Sequence, residues 1–195
     1  MRPPPRPANK PEPSPAVIAV EPESKVEEFH FFWQGPLSQW HHSPFTVNGV
    51  RYTHAEQFMM AEKAKIFGDG FTLGLIMTAT TPKKQKELVR GVANFNEAVW
   101  KRNARDVVMR GNRAKFTQNP EPFGVLMATA GKTLVEASPY DRVWGIGLAA
   151  SDPRALSRKT WRGENGLGEV LTELRREFEL SLEQSHGHIL PEPRR

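Results

Sequence analysis

Three short blocks of this sequence combine residue types that can do chemistry on a nucleoside-like ligand. They are residues 52–64 (YTHAEQFMMAEKA), 113–116 (RAKF) and 140–147 (YDRVWGIG). Each block sets a carboxylate, a cation or a tryptophan beside small residues. A carboxylate can stabilise positive charge on a sugar, a cation can bind phosphate, and an indole can stack on a base. Together these residue types could hold a nucleoside-like ligand and strain its glycosidic bond.

Glu56 is the first candidate, and the local sequence offers it two roles. Residues 53–56 (THAE) match a capping box, in which the Glu56 side chain bonds back to the Thr53 amide at a helix start. Local sequence alone favours this structural role. Helical spacing also puts Glu56, Met60 and Lys63 on one face, so that a carboxylate and an ammonium share one strip of surface. A capping glutamate could therefore still face a pocket, and both roles stay open.

Asp141 and Trp144 are candidates from an irregular stretch, residues 138–165, which is rich in Pro, Gly, Asp and Trp. Gly145 would let a ligand approach the backbone closely, while Asp141 bonds a base or ribose edge and the indole stacks on a ring. The alternative is a turn aspartate beside a core tryptophan, which the local sequence favours. Residues 145–150 (GIGLAA) fit a dinucleotide-binding pattern, but no βαβ unit surrounds them, so we reject that interpretation.

Trp100, Arg113 and Lys115 lie in a predicted long helix, where each has a structural explanation. A mid-helix tryptophan usually packs in the core, and cations near a helix C-terminus complement its dipole. Arg113 and Lys115 could equally reach a phosphate. The histidines show no metal-binding spacing and the chain has no cysteine. The sequence therefore predicts no metal site, no thiolate catalysis and no cofactor.

Composition and charge set the organisation of the chain. The 195 residues carry a net charge of +5, which favours an anionic partner such as a phosphate ester or nucleic acid. Residues 1–28 are rich in proline and charge, and we predict a disordered, partly polyproline-like arm there. A globular domain is predicted over residues 29–185, and a frayed tail over 186–195. The chain shows no run of about 18 apolar residues and no signal-peptide core, so we expect a cytoplasmic protein without a membrane partner.

The elements that must position the candidates are mostly helices. Residues 29–33 are strand-like, and residues 44–52 predict a hairpin around Asn48-Gly49, a pair suited to a type I′ turn. Capping and periodicity predict helices at 53–67, 82–90 after a Thr81 cap, 94–118, 120–130 and 168–184, with a short strand at 133–137. The expected fold class is mainly α (α+β). We predict a single multihelical domain with a small N-terminal β-hairpin.

Taken in order, the motifs of residues 29–183 resemble the NADAR family, also called YbiA-like. The family pattern G-x-x-[YW]-x-[ST]-x-E-[HQ]-[YF]-x-x-A-x-K corresponds to residues 49–63, and R-x-K-F-x-Q-[HN]-P to residues 113–120. Further matches are residues 32–45, 126–130, 134–137, 141–147 and 163–168. Two departures stand out: Ser38-Gln39-Trp40 replaces a Ser-Asn-Phe element, and Gln57 follows the glutamate where relatives often have histidine. The second departure could change substrate specificity.

This resemblance implies an N-glycosidase that acts on a ribose phosphate joined to nitrogen. The implied catalytic residues are Glu56, beside C1′ of the ribose, and Asp141, as a second carboxylate or as a binding group. The implied substrate-binding residues are Lys63, Trp100, Arg113, Lys115, Trp144, Gly145 and Asn165. The expected substrate is a phosphoribosylamino-pyrimidine intermediate of riboflavin synthesis, cleaved through an oxocarbenium-like transition state.

Two alternatives remain beside this hypothesis. The first keeps the reaction but removes ADP-ribose from guanine in nucleic acid. The second is a non-enzymatic sensor of ADP-ribose or other NAD-derived nucleotides, with the Pro-rich arm docking a partner. The sequence leaves the oligomeric state open.

Overall fold

The computed structural model describes residues 27–187, and side chains up to residue 185. Most of the predicted arm and most of the predicted tail lie outside the described residues. Glu27 and Glu28 are described. Arg158 forms an ion pair with Glu27 at 2.7 Å, and Thr133 N donates to Glu28 O at 2.8 Å.

Within residues 27–187, six α-helices and four short strands build the fold, which confirms the predicted mainly α class with a small sheet content. The strands are β1 (Phe29–Phe32), β2 (Phe45–Val47), β3 (Val50–Tyr52) and β4 (Thr133–Glu136). The helices are α1 (Ala55–Ile66), α2 (Gly70–Thr78), α3 (Pro82–Leu88), α4 (Glu97–Gln118), α5 (Pro120–Met127) and α6 (Gly166–Gly187). Three short 3-10 turns cover Val89–Gly91, Pro153–Leu156 and Arg158–Thr160.

The hairpin of β2 and β3 confirms the prediction made from two residues. Asn48 and Gly49 both have positive φ, at 50° and 78°, as a two-residue type I′ turn requires. The strands pair antiparallel, with Phe45 opposite Tyr52. Strand β3 ends at Tyr52, and α1 begins three residues later at Ala55.

A second strand pair was not predicted. β1 and β4 run parallel, with Phe29 opposite Thr133 and Phe32 opposite Glu136. Beyond the pair, Ala137 N donates to Phe32 O at 2.7 Å. Because α6 packs on β4 and Leu134 N donates to Thr172 Oγ1, β4 is held between β1 and α6.

Helix α1 is central to the core, since eight of its residues are buried. It packs against α2, α3 and α4, and Phe58 lies edge-on to Tyr52 with ring centroids 5.0 Å apart. The main apolar cluster joins α1, α4 and α6. A smaller cluster includes Val135 of β4 and Ile146 of the loop that follows β4. This close packing gives α1 little freedom to rotate.

The start of α1 differs from the predicted capping box. His54 is the N-cap, and its Nδ1 accepts from Gln57 N at 3.2 Å. The Gln57 side chain, not that of Glu56, bonds back to the Thr53 amide at 2.8 Å. The N-cap thus lies one residue later than predicted, the Gln57 side chain makes the bond to Thr53 N that was predicted for Glu56, and the Glu56 carboxylate takes no part in capping.

Other boundaries also needed correction. Asn96, not Asn94, caps α4 by accepting from Val99 N at 3.0 Å, whereas Asn94 adopts a left-handed φ of 55° in the preceding loop. Helix α2 was not predicted, and its Asp69 cap accepts from Thr72 N at 2.9 Å.

Across residues 27–187, no helix has the length and apolarity needed to cross a membrane, and no cluster of three potential metal ligands occurs.

Candidate active site

A cavity of about 850 Å³ opens between α1, α3, α4 and the loops after β1 and β4. Five of the predicted site residues line it, although they come from three distant parts of the chain: Glu56, Lys63, Trp100, Asp141 and Trp144. Other lining residues were not predicted to be at a site: Gln39, Trp40, Lys86, Arg90 and Glu136. The volume suits a ligand of nucleotide size or larger.

Glu56 is a buried carboxylate on the wall of this cavity. The residue is 4% exposed, and its amide donates to Gln39 O at 3.0 Å, which ties the first turn of α1 to the loop after β1. The pKa of Glu56 is raised to about 7, mainly by burial; the charge of Lys86 opposes this rise, that of Asp141 adds to it, and a hydrogen bond from the Trp40 side chain opposes it. A carboxyl group that titrates near neutral pH is suited to proton transfer.

Glu136, at the end of β4, is a second carboxyl group of the same kind. Its pKa is raised to about 8, mainly by burial, with contributions from the negative charges of Asp141 and Glu56, whereas the positive charge of Lys86 lowers it. Its Oε2 is buried and has no hydrogen-bond partner among the described residues. Two carboxyl groups with pKa values near neutrality thus face one cavity.

Asp141 is engaged differently from these two. Its Oδ1 accepts from Val143 N at 2.9 Å and from Trp144 N at 2.8 Å, and its Oδ2 lies 3.6 Å from Lys86 Nζ. The carboxylate therefore folds the loop that carries Trp144 and attracts the lysine of α3. This is the turn aspartate that the sequence offered as an alternative, and it still lines the cavity.

The positive charge of Lys86 acts on the carboxyl groups of both Glu56 and Glu136, so removing it should change the pKa values of both. It lowers the pKa of both Glu56 and Glu136. Without it the pKa of Glu56 rises, and activity that needs ionised Glu56 is lost at a higher pH. We expect Lys86→Met to move the acid limb of the kcat/KM profile to higher pH, measured between pH 5 and 9.

Lys84→Met is the matched control, because Lys84 lies on the same helix, pairs with Glu87 at 3.7 Å and lines neither cavity described here. Its profile should overlay that of the unmodified protein. An acid limb that stays in place in Lys86→Met would contradict the assigned coupling between Lys86 and Glu56.

Another part of the cavity lining is aromatic and cationic. Lys63 Nζ lies 4.3 Å from the centroid of the Phe95 ring and 5.1 Å from that of the Trp100 ring. Burial lowers the pKa of Lys63. Neither Lys63 nor Arg90 forms an ion pair with any residue in the described part of the chain, so both remain able to bind an anion.

Four predicted binding residues lie away from the cavity. Arg113 forms an ion pair with Glu177 between α4 and α6. Lys115 is fully buried, and its Nζ donates to Ser38 O at 2.8 Å. Gly145 and Asn165 are buried behind the cavity wall: Asn165 Oδ1 accepts from Glu136 N at 3.0 Å, and Asn165 N donates to Gly145 O at 3.2 Å. The contacts of these four residues hold other parts of the protein in place, and none of the four lines the cavity.

Lys115 and its neighbours hold the loop that bears Trp40. Burial lowers the pKa of Lys115 to about 7, and the bond to Ser38 O fixes the backbone next to Gln39. Asn112 Nδ2 donates to Gln39 Oε1 at 3.2 Å. Helix α4 therefore positions this loop, and the loop in turn bonds the amide of Glu56.

Glu136 was missed because the sequence showed only a charged residue ending an apolar strand. The available signal was its place in residues 133–137 (TLVEA), directly before the irregular stretch that holds Asp141. Lys86 was missed because it is one of three lysines in a polar helix, and only the packing of α3 against α1 selects it.

A second cavity, which we call the side cavity, measures about 540 Å³. It shares six lining residues with the first: Ser38, Trp40, Lys86, Arg90, Glu136 and Asp141. Its outer wall adds Trp33 and Tyr140, which are exposed and have ring centroids 6.0 Å apart, and the cation Lys83. The carboxyl groups of Glu136 and Asp141 thus line both cavities.

The raised pKa of Glu56 also makes a prediction about stability. The folded state holds this proton more tightly than the unfolded state, so the stabilisation is complete below the ordinary pKa of 4.5 and is lost as pH rises through 7. The glutamine side chain in Glu56→Gln cannot ionise and does not lose this stabilisation. The Tm of the variant relative to that of the unmodified protein should therefore be higher at pH 8 than at pH 5. Thermal melts at both pH values test this, and a pH-independent difference would contradict it.

Comparisons with known proteins give the same assignment as the motifs. The NADAR domain family matches residues 31–179, which is most of the described chain. The chain belongs to the NADAR family. It is 45% identical over 146 residues to N-glycosidase R617 of Acanthamoeba polyphaga mimivirus, covering 72% of this chain and 86% of that protein.

Two further relatives of this NADAR chain are informative. The NMR structure of Escherichia coli YbiA superposes with a TM-score of 0.66 at 25% identity and covers 80% of this chain and 87% of that one. The chloroplastic riboflavin biosynthesis protein PYRR of Zea mays is 32% identical over 107 residues, which are 53% of this chain and 15% of that protein. The likeness to the larger protein is confined to a small part of it.

Proposed function

We propose that this protein is an N-glycosidase that hydrolyses the bond between a ribose phosphate and a nitrogen of a heterocyclic base or amine. One observation carries the proposal: the buried carboxyl group of Glu56, which titrates near pH 7, lies on the wall of a nucleotide-sized cavity. Membership of the NADAR family and the name of R617 as an N-glycosidase support the reaction class.

The chemistry follows from the contacts of Glu56. N-glycosides break through a sugar that carries positive charge at C1′, and an ionised carboxylate held in a poorly solvated site stabilises that charge strongly. The Lys86 charge and the Trp40 hydrogen bond favour the ionised form of Glu56. The same carboxylate takes a proton from the water that attacks C1′.

The aromatic and cationic wall is suited to the rest of the substrate. Trp100 and Trp144 offer ring faces on which a base can stack, and Lys63 and Arg90 can bind a 5′-phosphate. Asp141, which folds the loop of Trp144, acts mainly by positioning. We propose a phosphoribosylamino-pyrimidine as the substrate, and the likeness to PYRR supports that choice.

The side cavity favours a second candidate substrate, an ADP-ribosylated guanine in nucleic acid. Its exposed Trp33 and Tyr140 rings and the nearby Lys83 could hold a further base and phosphate beyond the acidic group. A phosphoribosylamino-pyrimidine is too small to need them. Dependence on these aromatic rings therefore separates the two substrates.

The test is a glycosidase assay on both substrates with release read by mass spectrometry. The proposal expects release of the base from the phosphoribosylamino-pyrimidine, with Trp33→Ala close to the unmodified protein. Release only from an ADP-ribosylated guanine oligonucleotide, lost in Trp33→Ala, would select the second candidate. Phe71→Ala is the control, since Phe71 is 79% exposed and lines neither cavity. Binding of ADP-ribose without any release would favour a sensor.

A further inference from the structure

We infer that Glu136 is the general acid of this site, which donates a proton to the departing nitrogen of the substrate. This inference rests on the proposed N-glycosidase function and adds to it a residue for the second half of the reaction. Breaking a C1′–N bond leaves an electron pair on nitrogen, and most amines and bases depart readily only if they are protonated. Glu136 lines both cavities and shares the first of them with Glu56.

The surroundings of Glu136 favour a neutral carboxylic acid. Its Oε2 is buried and accepts no hydrogen bond from any described residue, and none of the ion pairs in this part of the chain includes it. Ionising a carboxyl group whose buried oxygen has no hydrogen-bond donor and no paired cation is costly, so these surroundings favour the protonated form. The carboxyl groups of Glu56 and Asp141 and the ammonium of Lys86 are the charged groups that act on it.

The backbone of Glu136 keeps this acid in place. Its amide donates to Asn165 Oδ1 at 3.0 Å, and its carbonyl accepts from Ile146 N at 3.0 Å. The residue also ends the parallel pair opposite Phe32. With the backbone bonded on both sides, the Cα of Glu136 is held at the end of β4, which places its side chain at the cavity.

The other two carboxyl groups are less suited to proton donation. Both oxygens of Asp141 are already engaged, Oδ1 by two backbone amides and Oδ2 by Lys86. Glu56 accepts a hydrogen bond from the Trp40 side chain, which stabilises a carboxylate. The structure thus separates the roles: Glu56 as carboxylate, Glu136 as acid, and Asp141 as the group that shapes the loop.

The reaction balances with these roles. The C1′–N bond breaks, its electron pair stays on nitrogen, and the proton of Glu136 is transferred to that nitrogen. Water then bonds to C1′ and gives its proton to Glu56. At the end Glu56 is protonated and Glu136 is ionised, so one proton must pass from Glu56 to Glu136, directly or through solvent, before the next turnover. Only water is consumed.

The experiment compares two N-ribosides that differ in their need for an acid. A phosphoribosylamino-pyrimidine leaves as an amine and needs a proton, whereas the pyridinium base of nicotinamide mononucleotide leaves neutral without one. Glu136→Gln should lower kcat on the first by about a hundredfold or more and on the second by less than about fivefold. Equal losses on both substrates would overturn the assignment and indicate a structural role.

The pH profiles supply a second measurement that does not depend on cleavage of nicotinamide mononucleotide. For the unmodified protein, kcat on the amino substrate should fall on the alkaline side, near pH 8, as Glu136 loses its proton. This limb should vanish in Glu136→Gln, and its survival there would overturn the assignment. If the variant fails to fold, a profile of the unmodified protein without an alkaline limb would do the same.

Controls keep this result distinct from the proposed function. Glu169→Gln makes the same change at a partly exposed glutamate of α6 that pairs with Arg158 and lines neither cavity, and it should leave both rates unchanged. Failure of the unmodified protein to release base from either substrate would overturn the N-glycosidase proposal. Activity that survives in Glu56→Gln but is lost in Glu136→Gln would overturn the role of Glu56 alone.

Discussion

Glu56→Gln is expected to lower kcat by about a thousandfold or more, because it removes both the negative charge beside C1′ and the group that takes the proton of water. Gln keeps the size of the side chain and can still bond to Trp40. The fold should therefore be retained, and thermal melts and circular dichroism of the variant should match the unmodified protein at pH 5. Steady-state kinetics on the cleaved substrate measures the loss.

Glu62→Gln is the matched control for this change. Glu62 lies on the same helix, pairs with Lys65 at 2.8 Å and Arg110 at 3.1 Å, and lines neither cavity. Its kcat should remain within a few-fold of the original. If Glu56→Gln were folded and fully active, the carboxylate could not be the catalytic group.

Asn165→Ala is expected to lower the free energy of unfolding by about 4 kcal/mol. Asn165 is fully buried, accepts from Glu136 N at 3.0 Å and donates to Leu134 O at 2.9 Å. Alanine would leave two buried backbone groups unpaired, and it would also adopt a left-handed φ of 56° that Asn tolerates better. Urea unfolding measures the loss.

Asn103→Ala is the matched control for Asn165→Ala, since Asn103 is an exposed residue of α4 whose side chain donates to Val99 O. Its effect should stay within about 0.5 kcal/mol. The comparison also tests the substrate-binding role that was predicted for Asn165. If Asn165 binds substrate, its variant should raise KM while the free energy of unfolding stays near that of the unmodified protein.

Local sequence was sufficient for one turn and one helix start. Asn48-Gly49 specifies its turn through the φ angles of two residues, and Thr81-Pro82 specifies the start of α3. The capping box near Glu56 was placed one residue early, since His54 and Gln57 could take the same roles as Thr53 and Glu56. Only the side-chain bonds in the folded chain distinguish the two registers.

The site itself depends on contacts that no local pattern contains. Lys115 looked like a phosphate ligand at a helix end, but the loop of Ser38, 77 residues away, covers it and accepts its hydrogen bond. Glu136 looked like an ordinary strand residue until Glu56 and Asp141 were placed beside it. Burial and neighbouring charge give these residues their chemistry, and both arise only from tertiary packing.

The parallel pairing of β1 with β4 has a consequence for the order in which the protein is made. These strands lie roughly a hundred residues apart in the chain, and such distant pairings form slowly because a long loop must close first. During synthesis β1 emerges early and remains without its partner strand until β4 has left the ribosome. Asn165 and Thr172, which fix β4, emerge later still. A nascent chain can therefore make α1, which carries Glu56, before Glu136 emerges, so that the cavity is complete only after β4 and the start of α6 have been made.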